Sequence, residues 1–189
     1  MLQRAIAGVL VIFGIVLAGW AGSVAQESSQ PAPEEPQLQI TRWHQQIVQL
    51  YRQGHYTQAL DLALQTRDLA RQSLGEAHPE FATALDNLGL LYKTVGNYTA
   101  AEPVLLQALE IRRRTPGEDS PDFVTSLNNL AGLYSTLGRY GEAEQLYQRA
   151  LDIVRAAIGE DNEYFLGALI NLASVYKAMG HYAAVEPMY

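Results

Sequence analysis

Between Leu127 and Leu151 the apolar residues fall on a helical beat. Leu130, Leu133, Tyr134 and Leu137 recur at i, i+3, i+4 and i+7, which makes one stripe along one helix. Gly138 stands where that helix has to stop, and Arg139-Tyr140-Gly141 turns the chain. A second stripe runs from about Glu142, with Ala143, Leu146, Tyr147, Ala150, Leu151, Ile153 and Val154 on its inner side. Ala131 and Ala143 are small where the two helices are expected to approach, and Gly89 takes the first of those places one unit earlier.

The same pattern returns every 42 residues. Asn87, Asn129 and Asn171 keep that spacing, as do Leu88, Leu130 and Leu172; Tyr92, Tyr134 and Tyr176; and Gly54, Gly96, Gly138 and Gly180. A column of tyrosines at 56, 98, 140 and 182 follows suit. A helical hairpin repeated at this period predicts an all-α solenoid. His78-Pro79, Ser120-Pro121 and Asn162-Glu163 open the first helices, because a polar cap followed by proline suits a helix start. The repeats are expected at about 38–77, 78–118, 119–160 and 161–189. The last is incomplete, since Tyr189 aligns with Tyr147 and Leu105 inside a second helix. On that reading Leu172, Val175, Tyr176 and Met179 are exposed, which suggests either a fragment of a longer chain or an end through which copies of the chain associate.

Leu127-Asn128-Asn129-Leu130-Ala131-Gly132-Leu133-Tyr134 and Gly138-Arg139-Tyr140-Gly141-Glu142-Ala143-Glu144 resemble the tetratricopeptide repeat in its 42-residue, kinesin-light-chain-like form. The resemblance covers roughly residues 38–189 and is strongest in repeats two and three. In repeat one Gln46 replaces the core Leu and Leu50 the Tyr, as suits an end repeat whose outer face meets water. It implies a right-handed α-solenoid of about three and a half helix-turn-helix repeats, with the first helices lining a concave surface. It also implies backbone-contacting asparagines, which map onto Asn87, Asn129 and Asn171, with Gln45 as a longer substitute. Exported arrays of this type are often followed by a caspase-like (CHAT-type) domain. The chain is therefore alternatively the N-terminal sensor arm of a larger effector.

A side-chain amide carries one acceptor and two donors, matching the C=O and N–H of an extended peptide, so a ladder of amides can grip a backbone without reading its sequence. The same asparagines can equally bond across to the neighbouring repeat and stiffen the stack. Asp86, Asn128, Lys93, Tyr51 and Arg52 complete the candidate groove, Tyr51 as a platform for stacking. Arg52, Lys93 and Lys177 are too sparse for a clamp on a terminal carboxylate. The other tyrosines recur in register and read as core.

Charge and chemistry narrow the picture further. The formal net charge is −7, which gives no general attraction to nucleic acid or anionic lipid. Arg112-Arg113-Arg114 is the lone basic cluster and reads as cations placed at a helix end. Cysteine is absent, so disulfides and thiolate chemistry are excluded. His44, His55, His78 and His181 show no metal-binding spacing; His55 and His181 share a turn column with Asn97 and Arg139 and read as turn filler. Glu102, Glu144 and Glu186 sit near the start of each second helix, where negative charge suits the dipole. No catalytic constellation emerges, so a protein- or peptide-binding chain without metal, cofactor or enzymatic activity is expected.

Residues 1–25 read as a leader: Arg4 precedes an uncharged apolar run, and Ser23-Val24-Ala25 offers a cleavage site. The competing reading is an uncleaved membrane anchor over residues 5–25. Either places the repeats outside the cytoplasm, periplasmic or secreted. Residues 26–37, rich in Pro, Glu, Ser and Gln, read as a tether.

Overall fold

The computed structural model describes residues 35–160 and 163–185, so the leader and most of the tether lie outside the described residues. Eight described helices follow in order: α1 (Pro36–Arg52), α2 (Tyr56–Leu74), α3 (Pro79–Thr94), α4 (Tyr98–Arg114), α5 (Pro121–Thr136), α6 (Tyr140–Ile158), α7 (Glu163–Ala178) and α8 (Tyr182–Val185). Helix α1 starts at Pro36, two residues before the expected repeat boundary.

Each helix ends and begins for a local reason. At Gly96 and Gly138 φ is +80° and +74°, a backbone that a side chain would strain. Gly138 N–H donates to Ser135 O at 3.1 Å and Arg139 N–H to Tyr134 O at 2.8 Å, the paired bonds that close a helix C-terminus. Arg139 O then accepts from Ala143 N–H at 3.1 Å, so the next helix starts at Tyr140, earlier than the expected Glu142. One residue thus finishes one helix and caps the following one. At the openings, His78 Nδ1 accepts from Glu80 N–H at 3.1 Å and Ser120 Oγ from Phe123 N–H at 3.2 Å. Asn162, the third expected opening, lies outside the described residues.

The buried apolar residues form three clusters between the hairpins, a large one around Leu127 and Leu133 and smaller ones around Phe81 and around Leu88. Leu127, Leu133, Leu172, Val175, Ala131, Ala143 and Ala150 are fully buried or nearly so. Helices α3 and α4 pack closely at Gly89, where a Cβ would come within 2.3 Å of the Leu105 side chain. Three expectations fail here. Leu137 is 38% exposed, because it sits at the C-cap of α5, where the helix stripe has already ended. Leu172 and Val175 are buried, not bare, with Tyr176 and Met179 partly buried. That stripe faces back onto α6, and the exposed apolar residues of the last hairpin are Leu166, Ile170 and Tyr182. Tyr56 and Tyr182 likewise stand exposed rather than in the core.

Curvature follows from which helices touch. Consecutive helices pack throughout, and α1 also meets α3, α3 meets α5, and α5 meets α7. Among the described residues, no even-numbered helix meets another even-numbered one. The odd helices are therefore crowded on the inside of the bend and the even ones splay on the outside. The concave wall is α1, α3, α5 and α7.

Candidate functional site: the inner wall

The asparagine column lies on this wall, and two of its members bond across it. Asn87 Nδ2 on α3 donates to His44 Nδ1 on α1 at 2.9 Å, and Asn129 Nδ2 on α5 reaches Asp86 Oδ1 on α3 at 3.4 Å. Each thus ties its repeat to the one before, through a partner in a single column (44, 86, 128). Neither Oδ1 is a buried orphan, so each carbonyl oxygen remains open to an incoming donor. Asn171 occupies the same place on α7, opposite Asn128, whose Oδ1 is buried without a partner. Gln45 is exposed on α1.

Asp86 is not a groove residue. It is 6% exposed and accepts from Ser126 Oγ at 2.7 Å as well as from Asn129. Burial raises its pKa to about 6, against the opposing pull of those two hydrogen bonds and of Arg112. His44 is mostly shielded from water, and that burial outweighs the nearby Glu80 carboxylate to lower its pKa. Its Nε2 lies 3.3 Å from Glu80 Oε2, too poorly aligned for a hydrogen bond.

Residues 112–114 do fall in the last turn of α4, as expected of cations at a helix end, but Arg112 has a further role. Its side chain is buried between three helices, donating Nη1–H to Asp122 at 2.8 Å and Nη2–H to the Thr83 hydroxyl. One repeat later the position is Val154, and the space the guanidinium fills is a cleft of about 240 Å³ beside Thr125 and Asn128. Arg113 and Arg114 do face solvent, paired with Glu110.

The turn column is more than filler. Asn97 Oδ1 caps α4 by accepting from Ala100 N–H at 3.3 Å. Arg139 stacks 3.9 Å above the Tyr134 ring and bonds Glu102 at 2.7 Å and Glu142 at 2.6 Å. The Tyr134 hydroxyl lies near the Glu102 carboxylate, and its pKa is raised by burial and by that charge. Tyr176 repeats the device, donating to Glu144 Oε1 at 3.0 Å. The recurring glutamates therefore staple the second helix of one repeat to the first helix of the next; Glu186 lies outside the described residues.

Tyr51 packs its ring 5.4 Å from that of Tyr56, and Arg52 is exposed beside it. Lys93 is half-buried, and burial lowers its pKa. Its Nζ hangs over Gly132, where a Cβ would stand 3.1 Å from it and 3.4 Å from the Tyr147 hydroxyl. Sequence reading missed Tyr147, which belongs to a core column; the signal was Gly132, whose counterparts are Leu90 and Ser174. No group of three potential metal ligands occurs among the described residues, and none of their helices is long and apolar enough to cross a membrane.

Known proteins share this architecture. BtubC (BKLC) from P. vanneervenii superposes with a TM-score of 0.73 at 25% identity, over 85% of this chain and 64% of that one. This chain thus spans less than two thirds of that relative's length. A putative kinesin light chain from Podosopora anserina, built of nearly identical TPR-like repeats, gives 0.74 at 22% identity, over 82% of this chain and 74% of that one. A Rap protein complexed with Competence and Sporulation Factor gives 0.73 at 18%, over 83% of this chain and 42% of that one. No curated protein matches in sequence. The tetratricopeptide repeat profile matches residues 42–114, 80–156 and 122–189, and with the hairpins, glycine turns and inner wall described above this establishes that the chain belongs to the tetratricopeptide repeat family.

Proposed function

We propose that this is an exported, non-catalytic scaffold that holds an extended peptide, or an extended segment of a partner protein, along the wall of α1, α3, α5 and α7. One observation carries the reading: Asn87 and Asn129 are each anchored through Nδ2 while their carbonyl oxygens stay open. A tethered amide is already oriented, so accepting a peptide N–H costs little side-chain entropy. Two such acceptors one repeat apart suit a backbone laid along the wall. That a Rap protein of this fold was solved in complex with Competence and Sporulation Factor supports use of the architecture for holding a partner. Export rests on the leader pattern of residues 1–25.

The test is selection of binding peptides from a random display library on the full chain, followed by titration against Asn87→Ala/Asn129→Ala. The variant loses two inter-repeat bonds, so its stability falls by about 1 kcal/mol per bond. Measured where circular dichroism shows it still folded, peptide affinity should drop at least tenfold. Unchanged affinity in the folded variant sinks the reading.

A further inference from the structure

Two consecutive junctions fill the same place in different ways. Beside α4 the Arg112 guanidinium occupies it, bonded to Thr83 on α3 and to Asp122 on α5. One repeat later the position is Val154 on α6, whose side chain is too short to reach across. What remains is a cleft of about 240 Å³ between α5 and α6. The internal cation is gone, yet groups able to receive one are still there.

Three acceptor-bearing residues line the cleft. Thr125 is the counterpart of Thr83; its hydroxyl donates to Pro121 O at 3.1 Å, which leaves its oxygen able to accept. Asn128 is the counterpart of Asp86, and its Oδ1 is shielded from water with no hydrogen-bond partner. An acceptor left in that state costs free energy until a donor reaches it. The acidic residue has changed place: the counterpart of Asp122 is Tyr164, whereas Asp119 lines the cleft where the earlier junction has Ala77. Val124, Ile153 and Val154 supply apolar walls, and no Lys or Arg is among the described residues that line it.

We propose that this cleft is a guanidinium site, filled by an arginine side chain of a partner protein as Arg112 fills its counterpart from within the chain. A guanidinium is a planar fork of N–H donors, enough to serve several acceptors at once, and it is weakly hydrated, so apolar walls cost it little. A lysine ammonium is a compact, strongly hydrated point charge and suits walls of valine and isoleucine less well. The formal net charge of −7 favours a cationic visitor over an anionic one. The site stands by itself: it needs no peptide backbone along the inner wall, and the wall needs no arginine. Along the sequence it is hidden, because Val154 reads as ordinary core and Asp119 as part of a connection.

The probes are three capped amino acids titrated into the isotope-labelled full chain by NMR: acetyl-arginine, acetyl-citrulline and acetyl-lysine, each as the methylamide. Citrulline keeps the shape of arginine without its charge. The arginine probe should shift the amides of Val124, Thr125, Asn128 and Val154 saturably and bind at least about fivefold more tightly than either of the others. Val154→Arg supplies the guanidinium from within and should erase that binding. Asp119→Asn, a change at an exposed position, should weaken it about threefold, and Asp152→Asn, a control for bulk charge, should leave it intact. Equal affinity for citrulline or lysine overturns the proposal. So do arginine shifts that persist unchanged in Val154→Arg and Asp119→Asn; should the first variant fail to fold, the second decides alone. None of these outcomes bears on the groove reading, which Asn87→Ala/Asn129→Ala tests separately.

Discussion

The first and second inner junctions use one geometry with opposite chemistry. Across α1–α3 the asparagine at 87 reaches a neutral histidine; across α3–α5 the asparagine at 129 reaches a carboxylate in the equivalent place. The fold requires an acceptor at that column and is indifferent to which kind. The consequences differ, because His44 and Asp86 are both largely shielded from water, and that burial disfavours the charged form of each. Burial lowers the histidine pKa and raises the aspartate pKa. The second junction is also better tied: Arg112 links α4 to α3 and α5, and Glu102 holds Arg139 beside the Tyr134 hydroxyl. At the first, Ala70 and Leu60 occupy the corresponding places. Register in a solenoid is thus kept by backbone turns and apolar packing, while its polar fittings vary from junction to junction.

The sharpest way to break that contrast is Arg112→Ala. It removes a buried guanidinium with bonds to Thr83 and Asp122 and leaves a void, so urea denaturation should show a loss of about 3 kcal/mol. A loss under about 0.5 kcal/mol means the second junction does not depend on it. Next comes pH. Asp86 has a folded pKa above its unfolded value, so the folded chain holds the proton more tightly and this group's contribution to stability rises as pH falls from 7 toward 4. Between pH 7 and 5 the gain is about 1 kcal/mol by linkage, and Asp86→Asn should abolish it.

His44 runs the other way. Its folded pKa lies below the unfolded one, so stability is intact above about pH 6.5 and declines as pH drops below that, when the unfolded chain takes the proton first. Protonation also removes the acceptor that Asn87 uses. Hydrogen exchange at pH 5 against pH 7 should therefore show amides of α1 losing protection while those of α5 gain it. Uniform change along the chain contradicts the assignment. The smallest expected effect is Glu102→Leu, which converts the second junction toward the first by removing the carboxylate that holds Arg139 beside Tyr134. A partly exposed staple of this kind contributes about 1 kcal/mol, read as a lower urea midpoint with unchanged slope.

Much of the wall was legible before any coordinates. The 42-residue period located the glycine turns at 54, 96, 138 and 180 and named α3, α5 and α7 as carriers of the asparagines. Misreadings came where a residue's role depends on a neighbour 30 to 45 positions away. Asp86 counts as a groove residue on its own helix but is buried by Ser126 and Asn129 of the next repeat. Arg112 reads only as a cation at a helix end, and its bonds to Asp122 and Thr83 of other helices are invisible on its own helix. Arg139 occupies a variable turn column, yet holds Glu102 from the preceding repeat.

The sequence by itself determined the elements, their order and the period, because helix stripes, glycine stops and polar caps act within a few residues of the chain. Only the tertiary structure decided which polar groups are spent on holding the stack and which stay open, as at Asn87, Asn129 and the cleft beside Val154. That division depends on the packing of side chains from different repeats, and a hydrogen bond or a burial made across 40 residues leaves no local trace in the helix that carries it.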